Sequence, residues 1–119
     1  MLRAIFTADD ESITLVVNGH AGQADIGHDI VCSSCSILTY MVAQIVKSDA
    51  KEGSMRGKPV VMLNSGNAVI SCEPKPEKYN EILHAFYCAE VGYTLLAHNY
   101  PQFVELQPFT QEESENGKD

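Results

Sequence analysis

A histidine, a carboxylate and a thiol fall close together in this chain, in Gly19-His20-Ala21-Gly22 followed by Gly27-His28-Asp29-Ile30-Val31-Cys32. That set can generate a thiolate, the reactive form of cysteine. Asp29 is placed to cap a helix beginning at residue 30, its carboxylate accepting a first-turn backbone N–H. Cys32 would then sit in the first turn, where unpaired N–H groups and the helix dipole favour negative charge. A cationic His20 nearby would lower the thiol pKa further. Such a thiolate can attack a peptide carbonyl, with His20 protonating the leaving amine and backbone N–H groups around Cys32 holding the oxyanion. This chemistry needs no metal and no organic cofactor.

Each residue also has a plainer reading. A buried cysteine usually packs as a small hydrophobe. A histidine at a strand end is usually a hydrogen-bonding group, and Asp29 is more often a cap than an orienter of a base. Ser33, Ser34 and Ser36 are small residues suited to close packing, and Ser36, one turn beyond Cys32, can also hydrogen-bond near the thiol. Cys32-Ser33-Ser34-Cys35 has redox spacing at a helix start. Thioredoxin-like sites follow a strand, however, and here a glycine-rich loop precedes the pair. Cys35 also falls on an apolar stripe, so packing is preferred. His20, His28, Cys32 and Cys35 are acceptable zinc ligand types, but their spacing is not a familiar zinc pattern. No metal site is expected, and His28 reads as a polar loop residue. Cys72 and Cys88 read as buried, His84 and His98 as surface or helix-end residues.

The elements that must position these groups follow from periodicity. Residues 2–7 and 12–18 alternate as two strands of a hairpin around Asp9-Asp10-Glu11, which ends at Gly19-His20. Residues 21–29 read as a loop; its Ala21, Gly22, Gly27 and His28 are expected to form or gate a substrate groove. Val31, Cys35, Leu38, Met41, Val42 and Ile45 then follow helical spacing, ending near residues 47–50. Residues 59–63 form a continuous apolar run, the pattern of a strand covered on both faces. Asn64-Ser65-Gly66-Asn67 supplies a turn, and residues 68–72 return as its partner strand. A second helix is expected over 77–98, stopped before Tyr100-Pro101, and a last strand over 103–106. The fold class is α+β: a single layered domain of order ββαββαβ, with about five strands in a mixed sheet and two helices, one on each face. The domain spans 1–107, and 108–119 is an acidic tail expected to be disordered.

Composition bounds the partners. The chain has 119 residues and a net charge of −8, from 16 acidic and 8 basic side chains. Such a surface repels a phosphate backbone, so direct nucleic-acid binding is not expected and a basic protein or peptide is the easier partner. No apolar run reads as long enough to span a bilayer, and the N-terminus carries no signal segment. The expectation is a cytoplasmic protein with reduced thiols and no membrane partner.

Gly19-His20-Ala21-Gly22, Gly27-x-Asp29-Ile30-Val31-Cys32 and Ser36 together resemble the ribosomal-processing cysteine protease family of bacteria. The resemblance covers roughly residues 1–107, including the ββαββαβ order and Tyr100-Pro101 before the final strand. It implies a cysteine endopeptidase with His20 and Cys32 as catalytic dyad. Asp29, Gly19 and Ser36 match supporting positions. It further implies a homodimer without cofactors. The implied substrate is a large-subunit ribosomal protein, trimmed of an apolar, Leu/Phe-rich N-terminal extension before an alanine; phage relatives process virion proteins. Residues 33–35, often Ala-Ala-Val in the family, are Ser33, Ser34 and Cys35 here. Two other functions compete: a non-enzymatic ribosome-associated module whose His–Cys segment only shapes a peptide pocket, and a redox protein using Cys32 and Cys35.

Overall fold

Strict alternation in the first twenty residues produces two strands, β1 (Leu2–Ala8) and β2 (Ile13–Gly19), paired antiparallel. The turn between them is held by Asp9, whose Oδ1 accepts the backbone N–H groups of Glu11 and Ser12, each at 2.8 Å. Those bonds stabilise the ionised form and hold the Asp9 carboxyl below its ordinary value. The computed structural model describes residues 1–20 and 26–110, the side chains of 26–29 excepted. Helix α1 (Ile26–Lys51) is followed by the hairpin β3 (Val60–Asn64) and β4 (Asn67–Cys72). A single 3₁₀ turn (Pro76–Lys78) then leads into α2 (Tyr79–Asn99), and β5 (Val104–Gln107) closes the order ββαββαβ. The strands lie in the sequence β3-β4-β2-β1-β5, with β5 parallel to β1 and the other pairs antiparallel.

Register assigns the faces of this mixed sheet. Phe6 faces Leu15, which faces Ile70; Ala4 faces Val17, which faces Ala68. All six are buried. The helices cover this same face. Tyr93 of α2 meets the Phe6 ring edge-on at 6.0 Å, and its hydroxyl lies 2.7 Å from that of Thr39 on α1. The expected placement of one helix on each face is therefore corrected: both lie on one side, in contact with each other. The misleading signal was the apolar run 59–63. It belongs to an edge strand, where Val60, Met62 and Leu63 are exposed. The other sheet face is open, carrying the Arg3–Glu105 ion pair and the Thr14–Ser71 hydroxyl contact beside half-buried Ile5, Val16 and Val69.

Both helices are rotated slightly from the expected stripes. On α1 the buried positions are Val31, Cys35, Thr39, Val42, Ala43 and Val46, while Leu38, Met41 and Ile45 are half-buried. On α2 they are Ile82, Phe86, Ala89, Tyr93 and Leu96, leaving Val91 and Leu95 exposed. Cys72 is buried as expected, but Cys88 is exposed. The span 30–51 is also long and apolar enough to cross a membrane, contrary to the sequence reading. Here its apolar stripe is committed to the core of the domain instead. Phe109, assigned by sequence to the tail, packs on Phe6 at 5.4 Å between ring centroids, and its N–H donates to Glu90. Residues 111–119 of the expected tail lie outside the described residues.

Candidate active site

The end of β2 is pinned by backbone on both sides. Gly19 has φ +91°, and a Cβ there would stand 2.2 Å from the Met1 carbonyl oxygen, so only glycine fits. Its N–H donates to the Gly66 carbonyl at 3.0 Å. The Met1 nitrogen donates to the His20 carbonyl. His20 thus leaves the strand at a fixed point, exposed, between the start of β1 and the β3–β4 turn.

Cys32 arrives from α1. It sits half-buried in the second turn, beside the core stripe. The sequence reading is corrected here in two ways. The helix begins at Ile26, so Asp29 lies within its first turn rather than capping it, and Gly27 and His28 are helical rather than loop. The unpaired N–H groups of an α-helix are its first four. The Cys32 N–H lies beyond these four, inside the helix. The dipole effect also fades past the first turn. Ala21 and Gly22 fall outside the described residues, as do the side chains of His28 and Asp29.

His20, Cys32, Gly19 and Ser36 line one cavity of about 370 Å³. Sequence reasoning therefore gathered four residues of one site from two elements. It missed the rest of the wall: Leu2 and Val17 from the central strands, Thr39 and Tyr40 from α1, and residues 63–68 from the β3–β4 hairpin. The turn itself was legible, but its place beside His20 depends on the β2–β4 register, a long-range pairing. Cys35 also reaches this cavity from the core side, 4% exposed. Burial pushes its thiol up to about 11; a hydrogen bond with Tyr93 opposes the shift, and the neighbouring Cys32 adds to it. At neutral pH Cys35 is a protonated thiol. The described residues contain no group of three or more histidine, cysteine and acidic side chains placed to hold a metal ion.

An α+β domain that brings an imidazole and a half-buried thiol into one cleft fits a thiol hydrolase. A profile of the cysteine protease Prp matches residues 1–105, and the chain belongs to that family. It is a cysteine protease. Solved structures agree on the fold. SMU.848 from Streptococcus mutans is 23% identical, with 93% of this chain and 96% of that one covered at a TM-score of 0.65. The ribosomal processing protease Prp from S. aureus, in complex with a substrate peptide, is 17% identical, with 92% and 100% covered at 0.64. The same protease with a covalently linked product peptide is 18% identical, with 92% and 100% covered at 0.63. No curated protein sequence matches the chain.

Proposed function

We propose that this protease trims an apolar, Leu/Phe-rich N-terminal extension from a large-subunit ribosomal protein, with Cys32 as nucleophile and His20 as acid and base. One observation carries the reading: His20, from a strand end, and Cys32, from a helix, line the same cleft. The Cys32 thiolate attacks the scissile carbonyl, forming a C–S bond. His20 gives its proton to the leaving amine as the C–N bond breaks. Water, deprotonated by His20, then hydrolyses the thioester and restores the thiol. Ser36 and Asp29 are supporting positions by family pattern, and Gly19 supports His20 through the backbone.

The substrate class draws on two further features. Leu2, Val17, Leu63 and Ala68 give the cleft apolar wall, suited to Leu and Phe side chains. The charge of −8 favours a basic protein over nucleic acid. A cytoplasmic location belongs to the same proposal, as does a homodimer, for which exposed Ile37 and Leu95 offer apolar surface. Light scattering on the purified chain tests the dimer.

Mass spectrometry of a Leu/Phe-rich extension peptide, incubated with excess freshly reduced protein, tests the reaction. A single cut is expected with wild type and none with Cys32→Ala. His20→Ala should slow the cut about 10²- to 10⁴-fold. Equal cleavage by wild type and Cys32→Ala would sink the nucleophile assignment.

A further inference from the structure

The β3–β4 turn meets the histidine more closely than any motif in the sequence indicates. Gly66 has φ +76°, the left-handed region that glycine adopts without strain. A Cβ added there would stand 2.7 Å from His20 Nε2 and 2.9 Å from Cε1. Real Cβ atoms do not come that close, so the imidazole edge rests in space that any other residue would fill. The same glycine accepts the Gly19 N–H at 3.0 Å, one residue before the histidine. Gly66 therefore holds the backbone one residue before His20 and meets His20 itself at the ring.

We propose that Gly66 is a positioning residue for His20: the tip of the β3–β4 hairpin provides the seat that sets the imidazole's direction in the Cys32 cleft. The proposal rests on the protease reading for its catalytic consequence, but not for its geometry. His20 is exposed and would otherwise sample several rotamers. The hairpin tip, hydrogen-bonded to β2 and lining the cleft through Asn64, Ser65 and Asn67, limits that freedom from one side. A misplacement of about 1 Å at such a site can cost roughly 10²-fold in rate.

Gly53 supplies the control. It has φ +85°, and a Cβ added there would meet nothing within 4 Å, so Gly53→Ala carries the backbone strain without a steric neighbour. Gly66→Asn is the informative variant, since asparagine tolerates this conformation better than other residues yet still places a Cβ against the ring. Gly66→Ala accompanies it. Two readouts apply to each folded variant: the single-turnover cleavage rate, and the pH profile of Cys32 alkylation with exposed Cys88 as internal reference. The expected result is an approximately hundredfold loss of cleavage in Gly66→Asn with a displaced Cys32 alkylation profile, while Gly53→Ala stays within about twofold of wild type on both. Wild-type cleavage and an unchanged alkylation profile in Gly66→Asn would overturn the proposal, as would an equal loss in Gly53→Ala. If wild type itself does not cut the peptide, the protease reading of the substrate fails. The alkylation profiles and the His20 imidazole NMR shifts of the three variants then still decide whether Gly66 seats the ring.

Discussion

Cys32 and Cys88 differ from Cys35 and Cys72 in what solvent can reach. The first is half-buried at the cleft and the second exposed on α2, while Cys35 and Cys72 are buried with their thiols raised to about 11 and about 12, chiefly by burial. A thiol reacts through its thiolate, so an alkylating reagent at neutral pH should modify Cys32 and Cys88 and spare the other two. Adding the substrate peptide should protect Cys32 alone, with Cys88 reporting unchanged reagent activity. Peptide mapping by mass spectrometry checks this, and equal protection at both sites would remove the cleft as the peptide site. Gly19 gives a second test at this scale. Gly19→Ala combines a disallowed φ with a backbone collision at the Met1 carbonyl. It should destabilise the fold by more than about 1 kcal/mol and abolish cleavage, since His20 follows directly. A urea midpoint equal to wild type would refute the first part.

The helices decide how Cys32 is held, and a polar contact in the core ties them together. The Thr39 hydroxyl donates to the Cys35 carbonyl at 2.8 Å, and the Tyr93 hydroxyl reaches the same carbonyl at 3.2 Å. The two hydroxyls are 2.7 Å apart. One carbonyl, one turn beyond Cys32, thus anchors α1 to α2. Tyr93→Phe removes one arm and leaves Thr39 bonded to Cys35, so the expected cost is about 1 kcal/mol. Thr39→Val should cost a similar amount. The double variant should cost measurably less or more than the sum, because both act on one network. Urea unfolding midpoints of the four proteins check it, and strict additivity would show that the arms are independent. This anchor was invisible in sequence: Thr39 and Tyr93 are 54 residues apart. Local periodicity did indicate the strands and both helices, because alternation and three-four spacing are nearest-neighbour properties. It misjudged the start of α1, where Gly27, His28 and Asp29 carry turn chemistry yet continue the helix. It also put the helices on opposite faces, because an apolar run at a sheet edge resembles one at a sheet centre.

At the scale of the whole molecule, one two-layer core serves both stability and the site. Its inner face runs from Cys72 at one end of the sheet to Cys35 under the cleft, with Tyr93 between the helices and the strands. Three groups in that core, Cys35, Cys72 and Tyr93, have their pKa raised, in each case chiefly by burial. A folded-state value above the unfolded one means that the folded chain holds its proton more tightly. The resulting stability is fully present below the unfolded thiol value of 9.0 and is lost as pH rises through about 11 and about 12. One pKa unit corresponds to about 1.4 kcal/mol, so each thiol contributes on the order of 3 kcal/mol to the difference between neutral and strongly alkaline solution. The melting temperature should therefore hold between pH 7 and 9 and fall steeply above it. Cys72→Ala should begin with a lower melting temperature, from the lost packing, but fall less between pH 9 and 12, since one of the titrating groups is gone. Parallel declines in the two proteins would show that Cys72 does not hold its proton through this range, and that alkaline unfolding is driven from elsewhere in the core.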